Sequence, residues 1–301
     1  MRLTILGCFS ATPHSNKNPP AQLLEMRGHH FLIDCGEGTQ VQIRKAKAKF
    51  SEIKHIFISH LHGDHFFGLA GLISSFRLLG REAPLHVYGP KGIKEAITLL
   101  LKLGNSWTNY PLHFHELTST ESEVVFEDDK LSVKTIPLDH RVYTNGFLFV
   151  EKEKPRKLNP KAVEAFGIDK SQYHNIKQGK DGTTSLGKPI PNTQLTFDPE
   201  PPKKYAYCSD TAYFPSIVPL IDRATVLYHE STFLESHNEL ATKTKHATAK
   251  QAASIAQQAQ VGTLILGHYS SRYKNLEDFI IEASKVFENV QLGEDGKVFS
   301  F

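Results

Sequence analysis

Six consecutive residues, His60-Leu61-His62-Gly63-Asp64-His65, hold three imidazoles and one carboxylate. Imidazole nitrogen and carboxylate oxygen suit zinc, and a site without thiolate leaves room for a bound water, which is the arrangement of a catalytic rather than a structural ion. Gly63 gives the loop freedom to fold back on itself. His60, His62 and Asp64 alternate, so their side chains can point into one cavity while His65 turns toward a neighbouring spot. A solvated histidine-rich loop is the bland alternative. Four ligand-type residues at this spacing, directly after the apolar run His55–Ser59, argue for a metal instead.

Side chains so arranged need rigid elements on either side. Strands are expected at Leu3–Leu6, Ala21–Leu24, His30–Asp34, His55–Ser59, Leu85–Tyr88, Leu112–Leu117, Val124–Phe126, Leu131–Pro137, Gly146–Val150, Tyr205–Cys208, Thr225–His229 and Thr263–Leu266, where short β-rich runs lie between turn residues. Apolar residues recurring at three and four predict helices at Phe67–Leu79, Lys91–Leu103, Thr248–Ala259 and Leu276–Val286, the last with Asn275 as N-cap. No GxGxxG follows the first strand, which argues against a dinucleotide fold. An α/β class with an αββα layered sandwich fits the pattern. From Glu151 to Pro202 the chain turns polar, with one short helical candidate at Pro160–Phe166 and few apolar anchors. Both flanks read as strands of one core, so residues 151–202 read as a projection from a single domain spanning 1–301.

Composition narrows the class further. Of 301 residues 40% are hydrophobic and 22% charged, which excludes wholesale disorder. No run of 18 apolar residues is present, so no membrane partner is expected. The first apolar stretch stops at Gly7, too soon for a signal-peptide core. Cys8, Cys35 and Cys208 are odd in number and far apart, indicating neither disulfides nor a thiolate site and suiting a reducing cytoplasm. A net charge of +3 says little about an anionic partner.

HLHGDH resembles the HxHxDH signature of the metallo-β-lactamase superfamily. That resemblance implies a further His, an Asp and a final His at strand ends, and the sequence has His140 in PLDHRV, Asp210 in YCSDT and His268 in LILGHYSSRY. It implies two Zn2+ per subunit: His60, His62 and His140 on one, Asp64, His65 and His268 on the other, and Asp210 bridging. Asp64 is then also the candidate proton acceptor from the attacking water. Narrower motifs are similar to those of ribonuclease Z: FLIDCGEGTQVQIRKA (31–46), HESTF (229–233), HATAKQAA (246–253) and HYSSRY (268–273), in order along essentially the whole chain. In that family the counterparts of His246 and Glu230 form a supported histidine near the scissile phosphate. Short forms of the family carry an arm that grips tRNA, and Glu151–Pro202 occupies its place, without the family's Gly-Pro motif. Lys152, Lys154, Arg156, Lys157 and Lys161 are its candidate phosphate contacts.

The function implied by the resemblance is a zinc-dependent endoribonuclease that removes 3′ trailers from precursor tRNA, acting as a homodimer. Rival readings are a phosphodiesterase of the same fold acting on cyclic nucleotides or other small esters, and a non-catalytic RNA-binding module. Ser231 and Ser271 are not needed as nucleophiles. The remaining His14, His29, His30, His55, His86, His113, His115, His174 and His237 lack a ligand pattern and are assigned to surface or packing.

Overall fold

The structure, a computed structural model, describes residues 1–12 and 16–301, so His14 lies outside the described residues. Contacts divide the chain into two compact units, residues 1–150 with 203–301, and Glu151–Pro202.

In the larger unit, strands that alternate or run apolar build two seven-stranded sheets. The first runs Val298–Ser300, Arg2–Gly7, Ala21–Met26, His29–Ile33, Ile53–Phe57, Leu85–Pro90, Leu112–Leu117. Its opening pairs are antiparallel, and the last four strands are parallel. The second runs Val290–Leu292, Thr263–Gly267, Val226–Glu230, Lys204–Cys208, Asn145–Glu151, Leu131–Pro137, Val124–Glu127, with the first four parallel. Phe31 and Phe57 of the first sheet share one core with Phe147, Phe149, Tyr205 and Tyr207 of the second. On the first sheet's other face, Leu69, Leu72, Ile73 and Phe76 of the helix Gly68–Leu78 pack on Leu32, Ile56 and Val87. Their i, i+3, i+4, i+7 spacing is what buries that face, and Leu72→Ala would cost about 2–5 kcal/mol. The helix Ala249–Gln258 covers the second sheet through Ala252, Ala253 and Ala256, small enough for close approach, and is started by a capping box between Thr248 and Gln251. This is the αββα sandwich read from the pattern. No helix among the described residues is long and apolar enough to cross a membrane.

Several boundaries differ from the periodicity, for identifiable reasons. Ile53–Phe57 ends two residues before the expected Ser59, because the Ser59 N–H leaves the ladder and donates to Asp34 Oδ1 at 2.7 Å. Asp34 itself lies beyond the end of His29–Ile33 in a left-handed conformation (φ 55°). The helix Glu277–Ala283 is shorter than expected and its N-cap is Leu276, not Asn275; Asn275 lies one residue earlier, where its Oδ1 accepts the Glu277 N–H at 3.0 Å. The helices Thr39–Lys45 and Asn238–Thr244 and the strands Val290–Leu292 and Val298–Ser300 carry too few residues for a periodic signal and form on tertiary contacts.

The unit Glu151–Pro202 is more ordered than its composition suggests. Beside the helix Pro160–Ala165, capped by Asn159, it contains the helix Tyr173–Lys177 and two short antiparallel ladders, Lys157–Leu158 with Thr196–Phe197 and Gly182–Thr183 with Pro189–Ile190. Val163, Ile168, Ile176, Ile190 and Leu195 form its own small core. These residues are too widely spaced to register in a periodicity window. Asn192 pins the fold by donating to the carbonyls of Ile176 (2.7 Å) and Lys180 (2.6 Å).

Candidate metal centre

Strand ends deliver the polar side chains. His60 follows Ile53–Phe57, His140 follows Leu131–Pro137, Asp210 follows Lys204–Cys208, Glu230 ends Val226–Glu230, and His268 follows Thr263–Gly267. Gly63 opens the short helix Gly63–Phe66, which carries Asp64 and His65, and the His65 ring lies 4.1 Å from that of His60. Asp210 and His268 both adopt left-handed backbone (φ 55° and 60°), turning the chain sharply so that each side chain points inward. Such a conformation costs a non-glycine residue about 1–2 kcal/mol and persists where surrounding packing imposes it.

The donors separate into two sets. His60 Nε2 lies 3.0 Å from His62 Nδ1, which is 3.4 Å from His140 Nε2. Asp210 Oδ2 faces this set, 3.5 Å from His60 and 3.7 Å from His140. The other oxygen of Asp210 lies 3.1 Å from both His65 Nε2 and His268 Nε2. Asp64 Oδ2 completes the second set at 3.6 and 3.8 Å from the same two nitrogens. Each set is a group able to hold a metal ion. His65 Nε2 and His268 Nε2 are buried yet make no hydrogen bond, an omission that a bound cation would explain. The residues present therefore fit a metal.

A supporting layer fixes nearly every ring. His65 Nδ1 lies 2.7 Å from Asp34, a fully buried carboxylate that also accepts from Ser59 Oγ (2.9 Å) and Tyr207 OH (2.7 Å). His60 Nδ1 meets Ser59 Oγ at 3.0 Å, His140 Nδ1 donates to the Lys245 carbonyl at 2.9 Å, and His268 Nδ1 meets Thr232 Oγ1 at 2.8 Å. Partners of this kind set which nitrogen is free to ligate. Asp34, Thr232 and Lys245 were missed as site residues. Asp34 and Thr232 lie within the quoted motifs, but only the fold shows which histidine each supports.

Burial, relieved only partly by Asp210, lowers the pKa of His60, His62 and His140, leaving neutral rings with a lone pair. Burial opposes ionisation of Asp64 and Asp210, but the surrounding imidazoles outweigh it and hold both carboxyls below the usual range. Glu230 is buried and accepts from Thr211 N (2.9 Å), Thr232 N (3.1 Å), Thr232 Oγ1 (2.6 Å) and His246 Nδ1 (2.7 Å). Burial alone would lower the pKa of His246; the Glu230 carboxylate prevails and raises it to about 9. The His246 ring stacks 5.4 Å from that of His268. Asp64, Asp210, His246 and His268 line a cavity of about 340 Å³ with His62, Arg141 and Phe233. Ser231 Oγ donates to the Gly267 carbonyl at 3.1 Å, a packing role.

In the smaller unit, Lys154 faces Glu151 (3.6 Å) and Glu200 (3.9 Å), and Arg156 pairs with Asp198 and donates to Thr196. Lys157 and Lys161 are exposed and Lys152 is half-buried. The basic cluster is thus partly neutralised within its own unit.

Residues 1–155 match the family model described as Anti-Pycsar protein Apyc1. The chain is 46% identical over 298 residues to ribonuclease Z of Bacteroides fragilis, covering 99% of this chain and 98% of that one. It is also 46% identical over 284 residues to ribonuclease Z of Porphyromonas gingivalis, covering 94% and 93%. Among solved structures, the short form of human tRNase Z superposes with a TM-score of 0.74 at 28% identity, covering 100% of this chain and 99% of that one. The family model ends at residue 155, whereas the full-length relatives also span the Glu230–His246 pair and His268.

Proposed function

The chain belongs to the ribonuclease Z family, with its residues 1–155 also in the family of Anti-Pycsar protein Apyc1, and from that premise we propose that it removes 3′ trailers from precursor tRNA as a zinc-dependent endoribonuclease. Cleavage leaves a 3′-hydroxyl on the tRNA and a 5′-phosphate on the trailer. The observation that carries this reading is Asp210 turning one oxygen to each donor set, beside the Glu230–His246 pair.

In this reading His60, His62 and His140 would hold one zinc and Asp64, His65 and His268 the other, with Asp210 offering one oxygen to each set. Bound there, the two ions supply Lewis acidity to the phosphate oxygens and lower the pKa of water. Asp64 takes the proton of the attacking water as its oxygen bonds to phosphorus. The bond from phosphorus to the tRNA 3′-oxygen breaks, and His246 supplies that oxygen with a proton. Glu230 keeps the His246 ring in place through the 2.7 Å hydrogen bond. Residues 151–202 serve as the tRNA-gripping arm, with Lys152, Lys154, Arg156 and Lys157 toward phosphates. Pairing of two chains, and action in the cytoplasm where tRNA is made, complete the proposal.

Incubating the purified protein with a 3′-extended tRNA, with and without chelator, tests it. Chelator-sensitive cutting at the tRNA 3′ end is expected, with two zinc ions per chain by elemental analysis. Cutting that ignores chelation, or turnover of cyclic nucleotides in preference to precursor tRNA, overturns it. Deleting 151–202 should weaken tRNA binding while bis(p-nitrophenyl) phosphate is still hydrolysed; unchanged tRNA affinity would remove the arm assignment.

A further inference from the structure

Beside the metal cleft lies a second cavity of about 490 Å³, and Arg141 lines both. The walls of the second cavity come from the loop after His140, from Ser119 and Thr120, and from Phe214. Its volume is in the range of small-ligand sites. Among the described residues no carboxylate pairs with the Arg141 guanidinium, which is exposed. The acidic group at the rim, Asp139, is already neutralised by Lys245 at 2.8 Å. Tyr143 is held rigid, its hydroxyl donating to the Ser119 carbonyl (2.7 Å) and accepting from Asn145 Nδ2 (2.8 Å). Phe214 is half-buried. The cavity therefore joins an unpaired cation, on the side of the metal cleft, to two aromatic residues and a polar rim.

We infer that this cavity receives the base of the first trailer nucleotide, with Arg141 holding the sugar–phosphate strand where it passes out of the metal cleft. This rests on the precursor-tRNA reading above. The nucleotide on the tRNA side of the scissile bond follows a paired stem and stays stacked on it. The trailer side is single-stranded, and its bases are free to turn out and stack on aromatic rings. Stacking accepts any base, as trailers of varied sequence require. A guanidinium contributes both a fixed charge and a planar fork of donors for the phosphate.

The test compares kcat/KM on two precursor tRNAs, one with a normal nucleotide and one with an abasic ribose at the first trailer position. Wild type is expected to lose about tenfold on the abasic substrate. Phe214→Leu keeps apolar volume but removes the ring; it should lose about as much on the normal substrate and little more on the abasic one. Arg141→Gln should raise KM on both while keeping their ratio. Melting temperature and zinc content show whether each variant is folded. A wild-type base-to-abasic ratio retained in Phe214→Leu overturns the inference, as does coupling seen only when the nucleotide before the cleavage site is abasic. Wild type that cuts precursor tRNA without regard to the trailer base overturns this inference alone. Failure to cut precursor tRNA overturns the functional reading with it.

Discussion

Histidines gather at both ends of the first sheet's parallel strands, and the two gatherings behave differently. Past the carboxyl ends, His60, His62 and His65 meet His140, His268 and two carboxylates, with ring nitrogens converging on shared points. Toward the amino ends, His55, His86, His113 and His115 lie flat against one another on neighbouring strands. The rings of His55 and His86 stack at 5.2 Å and those of His86 and His113 at 4.9 Å, while His86 Nδ1 meets His115 Nε2 at 3.0 Å. That last distance equals the one between His60 and His62. Yet no third donor joins it within reach among the described residues. What separates a candidate metal centre from a packed ladder is therefore neither histidine count nor the closeness of one pair. Carboxylates inserted among the rings, and a second layer that orients them, make the difference.

Removing the carboxylate common to both sets should have the largest effect. Asp210→Ala is expected to lower precursor-tRNA cleavage by about a thousandfold or more and to strip metal from both sets, read by turnover and elemental analysis. If both metals stayed, Asp210 would not be the bridge. Next comes His246→Ala, expected to reduce kcat by about 10²–10⁴ with metal content unchanged. Because His246 also lies within donor range of Asp210 and His268, loss of metal from this variant would make it a ligand instead. Asp34→Asn probes the supporting layer: metal affinity should fall about 10–100-fold, measured by competition with a chromogenic chelator.

The smallest effect belongs to the ladder. Burial, helped by the neighbouring His86, His29, His115 and Lys54, lowers the pKa of His55 from 6.5 to about 4. The unfolded chain takes up a proton near pH 6.5, whereas the folded chain resists until about pH 4. The stability that depends on neutral His55 is thus complete above pH 6.5 and declines as pH falls toward 4. His55→Phe should raise the melting temperature at pH 5 by a few degrees relative to wild type, with zinc content and cleavage unaltered. A change in zinc content would mean that the two ends of the sheet are not independent.

Much of this molecule is legible in its residues, because some properties are local. A strand such as Thr263–Gly267 announces itself by five apolar or small residues in a row, and HLHGDH announces its donors by type and spacing. The same holds for the polar stretch 151–202, whose composition departs from its surroundings. Inside that stretch the helix Pro160–Ala165 was legible but the packing was not, since its five core residues lie five to fourteen positions apart and find one another only on folding. Nor was the supporting layer. Asp34 lies 31 residues from His65, and Lys245 lies 105 residues from the His140 that uses its carbonyl. Sequence alone determined which donors exist and that strands would carry them. The tertiary structure alone decided how Asp210 divides its oxygens, which partner orients each ring, and where Asp34, Asp210 and His268 enter left-handed backbone. Those choices depend on contacts between distant segments and on strain that only the packed whole can sustain.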